Sequence, residues 1–178
     1  MLTAALLLAA LATGANAACG FPNGTDTAIH WWQAPGTGKV TFTDAIPQDA
    51  DGKLEYPIQL KKPLYVLTTL DNEEVVMTAG DLLMSIKLYQ YGGFAGCSWS
   101  EVPTFGLLNN LDACANGVPC PVAMGKGTIK VVLDFTKYGA IISLLKNDAP
   151  YQIEMTLKSK SSGHAVTLVA QARSLTKL

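Results

Sequence analysis

Apolar residues recur at every second position along most of this chain. Val40, Phe42 and Ile46 alternate with Thr41, Thr43 and Ala45. Leu64, Val66 and Leu70 alternate with Tyr65, Leu67 and Thr69, and Leu82, Met84, Ile86 and Leu88 with Leu83, Ser85, Lys87 and Tyr89. Further on, Ile129, Val131, Leu133 and Phe135 form such a series, then Tyr151, Ile153, Met155 and Leu157, then Val166, Leu168, Ala170 and Ala172. Successive side chains of a strand point to opposite faces, so each series predicts a strand with one buried face. A shorter strand is expected near Ile29–Trp32.

Turn chemistry separates these runs: Pro47 to Gly52, Asp71-Asn72, Gly92-Gly93, Asn147 to Pro150 and Ser161 to Gly163. Many short strands with regular turn signals predict an all-β sandwich or barrel of antiparallel strands. No stretch supports a long amphipathic helix. One short helical turn is expected within Thr104–Leu111, after Pro103.

The beginning of the chain follows another pattern. Residues 1–25 carry no charge, Ala4 to Ala12 are apolar throughout, and Ala15-Asn16-Ala17 is a small-x-small site. Residues 1–17 therefore read as a cleavable signal peptide, with 18–178 as a single domain. The run is shorter than the ~20 apolar residues that cross a bilayer. A secreted (extracellular) or lysosomal protein is expected, soluble and monomeric.

Charge narrows the function classes. Lys plus Arg number 13 and Asp plus Glu 14, so the basic excess that nucleic acid requires is missing. The chain is 49% apolar and 15% charged, leaving apolar side chains for a large core or for a cavity. Neither His30 nor His164 lies in a catalytic motif, and no nucleophile elbow or metalloprotease helix motif occurs. Gly125-Lys126-Gly127-Thr128 lacks the upstream glycine of a phosphate loop. The expectation is a non-enzyme with no metal and no cofactor.

In an oxidising compartment four cysteines imply two bridges. Cys114 and Cys120 are six apart with Asn116-Gly117 to turn the chain between them, which leaves Cys19 for Cys97. Asn23-Gly24-Thr25 is a glycosylation sequon in a Pro/Gly-rich, exposed segment.

The segment Leu111 to Val122, with its Cys114-x5-Cys120-Pro121 core, resembles the ML lipid-recognition domain family. Gly96-Cys97-Ser98-Trp99, Tyr151-Gln152-Ile153-Glu154 and Val166-Thr167-Leu168 add to the resemblance. Family members tie the early cysteine to one near the C-terminal strand, whereas residues 121–178 here contain none. The resemblance implies an immunoglobulin-like β-sandwich of two antiparallel sheets that splay apart around an apolar cavity. It implies a lipid ligand (a sterol, a glycolipid or a fatty acyl chain), bound without chemistry.

Candidate contacts follow from that reading. Phe94, Trp99, Val102, Phe105, Leu107 and Leu108 form an apolar stretch outside the expected strands, either folded inward or touching a lipid or membrane. By the resemblance, Val118, Pro121 and Val122 flank the short bridge where the family lines its pocket. Ile141, Ile142, Leu144 and Leu145 lie in a second apolar run, a doubly covered strand or a pocket rim, from which Ile142 and Leu145 are taken as contacts. Ile153 and Met155 are inward strand positions. The competing expectation is a secreted recognition module for a receptor or glycan, with a closed core.

Overall fold

A computed structural model describes residues 19–36, 38–74, 76–93 and 96–177. The expected signal peptide and Phe94 lie outside the described residues. Within them the chain forms β1 (His30–Ala34), β2 (Val40–Phe42), β3 (Ile46–Gln48), β4 (Ile58–Gln59), β5 (Leu64–Asn72), β6 (Leu82–Tyr91), β7 (Trp99–Glu101), β8 (Leu111–Asp112), β9 (Gly125–Leu133), β10 (Ala149–Ser159) and β11 (Ala165–Leu175).

These strands make a β-sandwich of two sheets. The larger runs β1-β11-β10-β6-β7, with β8 also beside β6 and β4 beside β11. The smaller has β5 at its centre, β2 and β3 along one side and β9 along the other. All pairings are antiparallel except the short contact of β4 with β11.

The two-residue period sets the inner faces. In the larger sheet Met84 lies opposite Leu157, Ile86 opposite Met155 and Leu88 opposite Ile153. Leu157, Met155, Ile153 and Tyr151 lie opposite Val166, Leu168, Ala170 and Ala172. Residues directly opposite across two strands share a face, so these rows form one apolar surface. Leu64, Val66 and Leu70 of β5, with Val131 and Leu133 of β9, supply the facing surface. Gln33 joins the sheets at an edge: its Nε2 donates to Val40 O at 2.8 Å and its Oε1 accepts from Phe42 N at 2.9 Å.

Three local expectations are corrected. The series from Val40 to Ile46 is not one strand. Phe42 lies opposite Leu70 but Ile46 lies opposite Leu67, a slip of one residue that marks a bulge. A one-residue slip exchanges the faces. Ala45 and Pro47, rather than Ile46, therefore continue the inner face; Pro47 is buried opposite Val66.

Phe135 does not extend β9. The Asp134 carboxylate accepts from Thr136 N at 3.1 Å and starts a 3-10 turn, Phe135–Tyr138, that runs into the helical turn α1 (Gly139–Ile142). The run Ala140 to Leu145 is thus helical at its start rather than a strand. Residues 104–111 hold no helix; Phe105 and Asn110 adopt positive φ, which interrupts any helical run.

Candidate functional site

The two sheets enclose a cavity of about 390 Å3. Its first wall is the larger sheet: Met84, Ile86 and Leu88 from β6, Tyr151 and Ile153 from β10, and Ala170, Ala172 and Ser174 from β11. Two alanines and a serine stand where larger side chains would meet the other wall. The space begins with that choice of residues.

The second wall is made at the edge where β5 starts and β9 stops, Leu64 opposite Leu133. Beyond Leu133 the chain continues through Phe135, Tyr138, Ile141, Ile142 and Leu145, all lining the same space. Ile141, Ile142 and Leu145 are buried, while Leu144 is 54% exposed. Positions 138, 141, 142 and 145 follow the spacing of one helical face. Ile29, Ile58, Leu60, Pro63 and Leu108 close the sides.

Polar groups are few and mostly engaged elsewhere. The Tyr151 hydroxyl donates to Lys146 O at 2.9 Å, leaving the ring to line the wall, and burial pushes its phenol pKa up. The Asn116 amide donates to Asp112 O at 2.8 Å. The charged lining residues are Asp134 and Lys137, Nζ to Oδ2 4.0 Å, with the lysine side chain 56% exposed. They form a wet edge to an otherwise apolar space.

The Cys114–Cys120 bridge shapes the adjoining loop, and Cys19 is joined to Cys97. Residues Cys114 to Gly117 line the cavity. Gly117 holds the loop against β9: its carbonyl accepts from Val132 N at 2.9 Å and its φ is 106°. A Cβ at Gly117 would stand 1.8 Å from Val132 O, so no side chain fits.

A smaller cavity of about 70 Å3 lies further along the sandwich, lined by Phe42, Ala45, Val66, Leu70, Ile129, Leu157 and Leu168 among others. Beside it the Glu74 carboxylate, almost fully buried, pairs with His164 Nδ1 and accepts from Ser162 Oγ at 2.8 Å and Lys39 N at 3.3 Å. Burial raises the Glu74 pKa, but the Ser162, His164 and Lys39 contacts more than offset it and hold the carboxyl below its ordinary range. Serine and histidine share one carboxylate oxygen, which makes a clasp between the β10–β11 turn and the end of β5.

The sequence candidates divide accordingly. Leu108, Ile142, Leu145 and Ile153 line the large cavity; Val118, Val122 and Met155 line the small one. Val102 is buried in the core but reaches neither wall. Trp99 lies in a strand, opposite Tyr91, on the larger sheet's outer face, its ring 5.0 Å from that of Tyr91. Phe105 and Leu107 point to solvent, 80% and 51% exposed. Pro121 is exposed while its neighbour Val122 is buried. Phe135, Tyr138, Ala170 and Ala172 are not among the candidates: Phe135 reads as the end of a strand, Tyr138 falls in no alternating series, and alanine signals a cavity only through what it omits. Asn23 is exposed and its Nδ2 donates to Gln171 Oε1 at 2.6 Å.

Among the described residues no helix is long and apolar enough to cross a membrane. No family model and no curated protein sequence matches the chain. Among solved structures, a Niemann-Pick type C2 protein from Japanese carpenter ant is similar at 13% identity and a TM-score of 0.47, over 82% of this chain and 98% of that one. The C-terminal domain of wzt is similar at 12% identity and a TM-score of 0.39, over 87% and 83% of the two chains.

Proposed function

We propose that this protein is an ML-type lipid carrier of the secretory pathway that holds an apolar ligand between its sheets and makes or breaks no bond. The observation that carries the proposal is the cavity of about 390 Å3 with apolar walls and charge confined to one edge. Ala170, Ala172 and Ser174 leave it open where larger side chains would close the core. A closed-core recognition module has no use for it.

Volume also sets the kind of ligand. A methylene fills roughly the 30 Å3 share of one liquid water, so the cavity suits a chain of about 13 carbons. A single acyl chain fits; a sterol or a two-chain glycolipid needs the walls to move apart. Burying about 13 methylenes gains on the order of 10 kcal/mol over water, and a bilayer offers the same gain. Transfer between the two is then near balance, as suits a carrier that exchanges its cargo.

Exposed Leu107 and Leu144 directly precede cavity-lining Leu108 and Leu145, and exposed Phe105 lies two residues before Leu107, which supports transient contact with a membrane surface during exchange. The two disulfides accord with secretion or a lysosomal lumen. Vesicle-to-vesicle transfer of a fluorescent fatty acid tests the proposal. Acceleration proportional to protein concentration is expected; a rate equal to the protein-free control contradicts it.

A further inference from the structure

We infer that Leu133 partitions the inter-sheet space and sets the length of chain the protein accepts. The inference rests on the lipid-carrier reading above. Leu133 lines both cavities, and among the described residues no other is common to the two walls. The boundary continues across the opposite sheet. Ile86 lines the large cavity and its cross-strand neighbour Met155 the small one; Met84 and Leu157 divide in the same way. The spaces therefore abut at one layer of side chains, with Leu133 as the contribution from β9.

Leu133 is 6% exposed and ends the strand, immediately before Asp134 starts the 3-10 turn. Its backbone is held opposite Leu64, so the side chain is the part that varies without moving the sheet. The small cavity, about 70 Å3, has room for about two more carbons. Its polar neighbours are already satisfied: Thr68 Oγ1 donates to Asp44 O at 2.6 Å, Ser159 Oγ to Asp81 Oδ2 at 2.8 Å, and Glu74 is held by Ser162 and His164. The annex is thus a mostly apolar space suited to a chain terminus. Truncating Leu133 to alanine removes three carbons and joins the spaces, which makes room for about five further carbons in all.

The test measures affinities of the mature protein for saturated carboxylic acids from C8 to C20, by displacement of a fluorescent fatty acid. Wild type is expected to bind best near C12–C14 and Leu133→Ala near C16–C18. Adding Ala45→Leu, which fills the annex, is expected to move the optimum part of the way back. Leu133→Phe narrows the partition and is expected to weaken chains above C14 at least tenfold while sparing C10. Leu133→Val stands in for alanine if that variant does not fold, with a smaller shift in the same direction. Binding that persists with the same optimum in the alanine (or valine) and phenylalanine variants overturns the partition and leaves the carrier reading intact. Wild type that binds no chain of any length overturns the carrier reading itself.

Discussion

Ile153 and Ala170 stand directly opposite each other on β10 and β11, and both side chains face the large cavity. The pair joins a full-sized residue to one that stops at Cβ, and Ala172 repeats the omission opposite Tyr151. Three added carbons at position 170 occupy about 90 Å3 of the cavity. Ala170→Leu is therefore expected to reduce uptake of a fluorescent fatty acid at least tenfold. Thermal stability should hold or rise, because burying three carbons gains ~2 kcal/mol where there is room for them. A loss of more than about 2 kcal/mol, the mark of overpacking, would mean that the space is not available.

The approach of Gly117 to Val132 leaves no room for a Cβ. Gly117→Ala is expected to cost more than about 3 kcal/mol, through both the positive φ and the clash with a backbone oxygen. Urea denaturation measures it. A cost under 1 kcal/mol would show that the loop moves freely away from β9.

Acid should unfold the protein only at low pH. The Ser159 hydroxyl, with Ser161, holds the Asp81 carboxyl below its ordinary range; the Ala115, Gly80 and Cys114 N–H groups do so for Asp112; Arg173 does so for Asp148. Glu74 is lowered as well, despite its burial. A carboxylate whose folded pKa lies below its unfolded value contributes stability above the unfolded value, about 4, and loses it as pH falls through the folded value. The melting temperature is expected to change little between pH 7 and 5 on account of these groups and to fall below about pH 4. A steep loss already between pH 7 and 5.5 would point to groups other than these.

Lys137 is the cationic residue of the cavity lining, largely exposed. Lys137→Glu is expected to weaken a fatty acid two- to fivefold and leave the matching methyl ester unchanged, the scale of an exposed ion pair of up to ~1 kcal/mol. Equal effects on acid and ester would place the head group elsewhere.

Secretory processing leaves covalent traces. Expressed in a eukaryotic secretory host, the protein should begin at Ala18 and lose mass on treatment with a glycan-removing amidase, and Asn23→Gln should not. Retention of Met1 would contradict the signal-peptide reading.

Most of the architecture was legible because a single rule, period two, covers it. The inner rows of β6, β10 and β11 follow from alternation alone, and six-residue spacing paired Cys114 with Cys120. The rest depends on register and volume. Ile46 keeps the parity of Val40, and only the partner strand reveals the slip that turns Pro47 inward. Tyr138, Ile141, Ile142 and Leu145 carry a helical period, but over too few residues to outweigh the strand pattern before them. Phe105 and Leu107 are as apolar as Leu108, yet positive φ at Phe105 and Gly106 turns the chain so that only Leu108 reaches the cavity. Trp99 pairs into a strand on the outer face, a parity that a sequence without its partner does not reveal.

Native mass spectrometry of the mature protein, purified from a secretory host and then exposed to mixed-lipid vesicles, reads the occupancy of the inter-sheet space. The expected result is one non-covalent adduct per chain, with the mass of a single-chain lipid, that is lost or strongly reduced in Ala170→Leu. A protein that stays at its bare mass after exposure, with wild type and Ala170→Leu alike, would contradict the role proposed for the cavity.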